Sequence, residues 1–130
     1  MEYSSVQLTD LPDEILMIIL KKLNKSLLLY SLLGLNKRLN KILYDSYFTN
    51  DLPLLKSYSN GKTYPLPDSI LDRFCLQILP EIRHKINWLH LEPSSMEHIL
   101  LATNYPNLYG LCLYGIEKDT AEHLFLSKKF

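Results

Sequence analysis

The sequence predicts a mainly α chain: three short N-terminal helices, then a further helix, then the start of an α/β repeat array. Three observations predict it. Residues 8–43 are dense in leucine and isoleucine and broken only by short polar stretches. Ile70, Leu71, Phe74, Cys75, Ile78 and Leu79 share one face at helical spacing. Finally, Ile86, Leu89 and Leu91 recur as Leu108, Leu111 and Leu113, each 22 positions later.

The totals narrow the classes of function. A chain of 130 residues, 47% of them hydrophobic, fits one domain or two very small ones. Fourteen basic against 14 acidic residues give a formal charge of +0, which argues against a whole-chain role on nucleic acid or anionic membrane. Local basic patches stay open. Cys75 and Cys112 lie far apart without a Cys-x-x-Cys pair, so neither a disulfide framework nor a zinc site is suggested, and a reducing compartment is expected. The first ten residues lack a basic, then apolar, leader pattern, and no run reaches the roughly 18 apolar residues of a membrane span. The expected location is intracellular, cytoplasmic or nuclear, away from membranes.

Residues 1–7 are polar and read as a flexible tail. Pro12 then stands at or near the first helical position, with Asp13 and Glu14 on the positive end of the helix dipole. The helix predicted from Asp13 to Leu23 carries Ile15, Leu16, Met17, Ile18, Ile19, Leu20 and Leu23, so its apolar residues go most of the way round. Such a helix has to be covered on every side. Two short neighbours cannot do that, so one face is expected on Leu27 to Leu43 and the other on a second protein. Lys21, Lys22, Asn24 and Lys25 mark its exit, the asparagine as a residue that tolerates a left-handed turn. A second helix is predicted from Ser26 to Leu33, interrupted by Gly34. Asn36 is the predicted N-cap of a third, with Leu39, Ile42 and Leu43 inward and Lys37, Arg38, Asn40 and Lys41 outward.

These residues carry a resemblance. Leu11, Pro12, Asp13, Glu14, Ile15 and Leu16, then Ile19, Leu20 and Leu23, then a leucine-rich second helix, make residues 8–48 resemble an F-box. The family closes on a hydrophobic, cysteine, basic, basic, tryptophan run. Here Leu35, Asn36, Lys37, Arg38 and Leu39 stand in those places, so the cysteine and the tryptophan are replaced. The stretch from Leu23 to Leu35 is also about one residue longer than the family's. The resemblance implies that Leu11, Pro12, Ile15, Leu16, Ile19, Leu20, Leu35 and Leu39 dock on a Skp-type adaptor, and through it on a cullin-RING ligase. Four or five such side chains buried by a partner would supply a gross apolar term on the order of 10 kcal/mol. Binding costs of about 4 to 15 kcal/mol erode it.

Residues 49–66 contain Asn, Gly, Ser and Pro without a sustained period and read as a linker. Leu66, Pro67 and Asp68 then repeat the leucine-proline-aspartate start and open a helix to Leu79, which Pro80 ends or kinks. Beyond Pro80, INWLHL and LYGLCL share a Leu-x-x-Leu-x-Leu pattern, whose 22-residue period is that of leucine-rich repeats. The helical returns match as well: Met96 to Leu100 resemble Ala121 to Phe125, an offset of 25 that implies a longer loop around Tyr114 to Asp119. Pro106 and Asn107 supply the turn into the second strand. Two units are fewer than the three or so that bury a continuous core. Residues 67–130 are therefore expected either as part of a longer array or as a short array capped on one side by the helix from Asp68. An F-box followed by such repeats implies a non-enzymatic substrate receptor of Skp-cullin-F-box ubiquitin ligases, holding a protein target of unknown identity.

Two other classes compete. Lys37, Arg38, Asn40 and Lys41 could form the reading face of a helix-turn-helix unit, although Asp10, Asp13 and Glu14 oppose an even basic footprint. A structural F-box scaffold without ubiquitin transfer is the third. No catalytic, cofactor or metal site is predicted. His84, His90, His98 and His123 lack metal-ligand spacing, and Ser94 one turn before His98 has no orienting acid in sequence. Asp68 and Asp72 flank an apolar stripe and are expected to face water. Tyr105, Tyr109 and Tyr114 are divided between packing and ligand presentation.

Overall fold

The computed structural model describes residue 5 and residues 7–115. Residues 8–10 form a single 3-10 turn, and Pro12 then acts as N-cap, its ψ of 156° keeping it outside the helix it starts. Helix α1 (Asp13–Leu20) is shorter than its apolar run, which continues to Leu23. Asn24 does not close it in a left-handed turn. Its φ is −64°, and its side chain accepts the Leu27 N–H, so it is the N-cap of α2 (Lys25–Leu32). Asn36 caps α3 (Lys37–Leu43) in the same way by accepting from Leu39 N–H at 2.8 Å. Asp45 caps a further short helix, α4 (Ser46–Thr49), which the sequence pattern does not announce.

The stretch expected as a linker is instead structured. It holds β1 (Asp51–Pro53), β2 (Leu55–Ser57) and β3 (Thr63–Pro65). β2 and β3 form an antiparallel hairpin whose turn closes at Gly61, with φ of 82°, a conformation that costs any residue with a Cβ. β1 belongs elsewhere: it pairs in parallel with β4 (Trp88–Leu91), which pairs in parallel with β5 (Gly110–Leu113). The register aligns Leu52 with Leu89 and Leu111, and Leu54 N–H carries the ladder one step further to His90 O at 2.9 Å. The sequence pattern predicts two strand units, and three are present. The first lies 37 rather than 22 positions before the second.

Between β1 and β4 the chain returns through α5 (Asp68–Arg73), a widened π-type turn at Phe74–Ile78, and α6 (Leu79–Ile82). The wide turn lets Leu79 N–H reach Phe74 O five residues back. Pro80, which has no N–H and would crowd a normal preceding turn, therefore sits within the helical run without ending it. The predicted face from Leu71 to Leu79 is buried, with Ile70 half-buried. Between β4 and β5 the return is α7 (Pro93–Ala102), which buries Met96, Ile99 and Leu100. The second predicted return, Ala121 to Phe125, and His123 with it, lie outside the described residues.

One apolar core runs from Leu16 in α1 to Leu100 in α7, taking in Leu52, Leu54 and Leu66 from the expected linker. The helical N-terminal part and the strand–helix units are thus packed together. The joint is specific. Lys25 Nζ donates to Asp51 O at 3.3 Å and Ser26 Oγ donates to Pro53 O, so side chains from the start of α2 satisfy carbonyls on the outer edge of β1. An open strand edge is a template for unwanted pairing, and this one is covered.

Candidate docking surface

The partner-binding residues expected on the first helix separate into two groups. Leu16 and Leu20 are 1% and 2% exposed, enclosed with Leu28, Leu29, Ile42 and Leu43. Leu39, from α3, is buried too. Their expected place against a second protein is corrected: the chain's own core already fills it. Ile15, Ile18 and Ile19 are 43%, 54% and 39% exposed, and Leu23 just beyond the helix is more than half exposed. Leu35 is 64% exposed, Pro12 is exposed, and Leu11 is partly buried against the core. At 100° per residue, positions 15, 18 and 19 share a flank of α1 that 16 and 20 do not reach.

What holds that flank in place is a residue expected to face water. Arg38, in α3, forms an ion pair with Asp13 at 2.8 Å, donates to Thr9 O at 3.2 Å and to Leu8 O at 3.5 Å, and donates to Leu11 O. One planar guanidinium thus satisfies three carbonyls of the segment leading into α1 and the carboxylate of its first turn. The pair is exposed, so its Coulombic worth is small. Its geometric effect is to fix the approach to α1 against α3. This also weakens the nucleic-acid alternative, because the most versatile phosphate donor of the Lys37 to Lys41 run is used internally.

The outward face of the three-stranded sheet is the other place where polar groups converge. Asp51, Trp88 and Gly110 form one cross-strand row, and Pro53, His90 and Cys112 the next. His90 Nε2 meets Asp51 Oδ1 at 2.5 Å and its Nδ1 meets Tyr114 Oη at 3.0 Å. A carboxylate, an imidazole and a phenol in line look like acid–base machinery. Here each ring nitrogen meets a side chain from another part of the sheet. The arrangement therefore acts as a clamp across β1, β4 and the end of β5. Trp88 lies over Gly110, where a Cβ would sit 2.6 Å from the indole ring, so glycine permits the close approach.

Several of the other reactive residue types have structural partners. Ser94 Oγ and N–H both donate to the Glu92 carboxylate at the start of α7, a capping arrangement rather than an activated nucleophile. The Cys75 thiol is pushed up from its ordinary pKa by burial and then by the Asp72 charge, which makes it a poor nucleophile. Burial likewise raises the pKa of Tyr105, whose hydroxyl donates to Ile99 O at 2.6 Å, so this tyrosine packs rather than presents. Tyr109 is largely exposed, and Asp68 and Asp72 face water. Tyr44, pushed up to about 12, donates to the Glu81 carboxylate, which raises its pKa first through the hydrogen bond and then with burial and charge. Among the described residues no group of three His, Cys, Asp or Glu side chains could hold a metal ion, and no helix is long and apolar enough to cross a membrane. No family model, no curated protein and no solved structure matches the chain.

Proposed function

We propose that the chain is an adaptor that docks through the exposed flank of α1 on a Skp-type protein of a cullin-RING ubiquitin ligase, and offers its strand–helix units, as leucine-rich repeats, to a protein target. The observation that carries the proposal is the exposure of Ile15, Ile18 and Ile19 on a helix whose other side is sealed. The docking set is Pro12, Ile15, Ile18, Ile19, Leu23 and Leu35, with Leu11 at its margin. Leu16, Leu20 and Leu39 support it from beneath. Covering the five half-exposed isoleucine and leucine side chains of this set gives a gross apolar term of about 4 to 8 kcal/mol. That is less than the cost of association at the upper end of its range, so polar contacts from the partner must add to it.

In this role the chain does no chemistry. It raises the effective concentration of a target's lysines near a charged conjugating enzyme. The test is co-purification with the Skp adaptor and cullin, comparing the native chain with Ile15→Asp plus Ile19→Asp. Both residues are exposed, so the fold should persist. Loss of adaptor and cullin together supports the proposal, and equal recovery overturns it. Adaptor retained without cullin would point to a scaffold outside ubiquitin transfer.

A further inference from the structure

β2 has an unpaired edge. In its antiparallel ladder with β3, Leu55 faces Pro65, Lys56 faces Tyr64 and Ser57 faces Thr63, and Tyr58 N–H continues the ladder to Lys62 O at 3.0 Å. Antiparallel pairs alternate between those that exchange hydrogen bonds and those that do not. The Tyr58 N–H bond to Lys62 O sets the phase, so Lys56 and Tyr64 are the pair that exchanges hydrogen bonds, while Leu55 with Pro65 and Ser57 with Thr63 do not; Lys62 N–H itself turns to the Asn60 side chain at 3.0 Å. Pro65, which has no N–H, sits where none is required. By the same alternation the N–H and C=O groups of Leu55 and Ser57 point away from β3. Among the described residues no hydrogen bond meets them.

On that side lies an open cleft of about 590 Å³, within the roughly 300 to 1,000 Å³ typical of ligand sites. Leu55, Lys56, Ser57 and Tyr58 line it consecutively, Leu27 and Tyr30 line it from α2, and no residue of β3 does. Among the described residues Lys56 is the one full charge of the lining, and none of those residues is a carboxylate. Asp51, at the start of β1, is engaged by His90. A strand edge with free donors and acceptors, a mostly apolar trough beside it and an unopposed ammonium together specify an occupant.

We propose that this cleft takes an extended peptide segment of a partner protein, bearing an acidic residue, as a third strand on β2. Backbone hydrogen bonds to Leu55 and Ser57 fix its register. Alternate side chains enter the space between Leu27, Tyr30 and Tyr58, and its carboxylate meets Lys56. The site is separate from the α1 flank and does not depend on what docks there.

The test uses the full chain and a displayed library of random linear peptides. The expected result is selection of sequences containing Asp or Glu, whose synthetic versions bind the native chain. Ser57→Pro, which removes an N–H that the hairpin does not use, should weaken that binding by about tenfold or more. N-methylation at alternate peptide residues should do the same without touching the protein, and decides the matter if Ser57→Pro does not fold. Lys56→Glu should abolish the preference for acidic sequences. Ile15→Asp plus Ile19→Asp should leave peptide binding unchanged, which separates this site from the adaptor surface. Failure to select any peptide, or binders indifferent to N-methylation, overturns the proposal.

Discussion

The two sides of α1 are built from the same kinds of residue and end in opposite surroundings. Leu16 and Leu20 are enclosed in the core that also holds residues of α2 and α3, whereas Ile15, Ile18 and Ile19 face outward. Hydrophobicity alone does not separate them, because each would favour burial by about the same amount. What separates them is reach. The core encloses one flank of a cylinder about 10 Å across, and among the described residues none buries the second. The contrast teaches that the sealed side reports on folding, while the open side is where the proposed association would be read.

Substitutions should divide along that line, and the largest effect belongs to the sealed side. Leu16→Ala removes a fully enclosed side chain and is expected to cost about 2 to 5 kcal/mol, read as a lower urea midpoint. A loss under about 0.5 kcal/mol would mean that the two sides do not differ as described. Arg38→Met cuts the ties to Asp13 and to the carbonyls before α1. Because the pair is solvent-exposed the expected loss is about 1 kcal/mol, with adaptor affinity falling further than stability as the approach to α1 loosens.

Smaller still is the pH response at the junction of α3 with α6. Tyr44 titrates ordinarily at 10.0 and is pushed up to about 12 in the fold. Its contribution is fully present below pH 10.0 and fades as pH rises toward about 12, so Tyr44→Phe should lower the stability curve by a constant amount near neutrality, without changing its slope there, and flatten it in that window. A curve with the same slope in both proteins would count against the Tyr44–Glu81 contact. The least effect is expected of Gly110→Ala. The added Cβ displaces the ring of Trp88, the chain's single tryptophan, and should shift its fluorescence with little change in melting.

The parts of this fold that are legible in the sequence are those with long-enough patterns. The cap at Asn36, the helix start at Pro12, the buried face from Leu71 to Leu79, and the strands around Leu89 and Leu111 all follow from residue type and spacing. β1 escapes because three features hide it. Buried Thr49 stands where Ile86 and Leu108 open the later units, Pro53 interrupts the strand, and the hairpin and the first helical return stretch the spacing to 37. Its signal is Leu52-x-Leu54, visible only once the later strands are aligned. Each strand of the hairpin spans three residues, too few for alternation to register.

The docking surface is legible as an excess and not as a list. Residues 15, 16, 19 and 20 are all apolar, so the sequence can state that something is left uncovered without stating which side. Leu39 replaces a bulky aromatic position of the resembled pattern and simply joins the core. Arg38 and the Asp51, His90 and Tyr114 clamp depend on partners 24 to 39 positions away, which no local spacing encodes. Asn24 misleads because the same residue type can close one helix or open the next; the Leu27 N–H three residues on settles that it opens α2.

The most direct measurement is a paired one on Ile15→Asp plus Ile19→Asp: its melting transition, and its affinity for the Skp adaptor by calorimetry. An unchanged transition together with binding weakened about a hundredfold or more is the predicted result. An unchanged transition with undiminished affinity would contradict the account, because the uncovered flank of α1 would then have no partner to meet there.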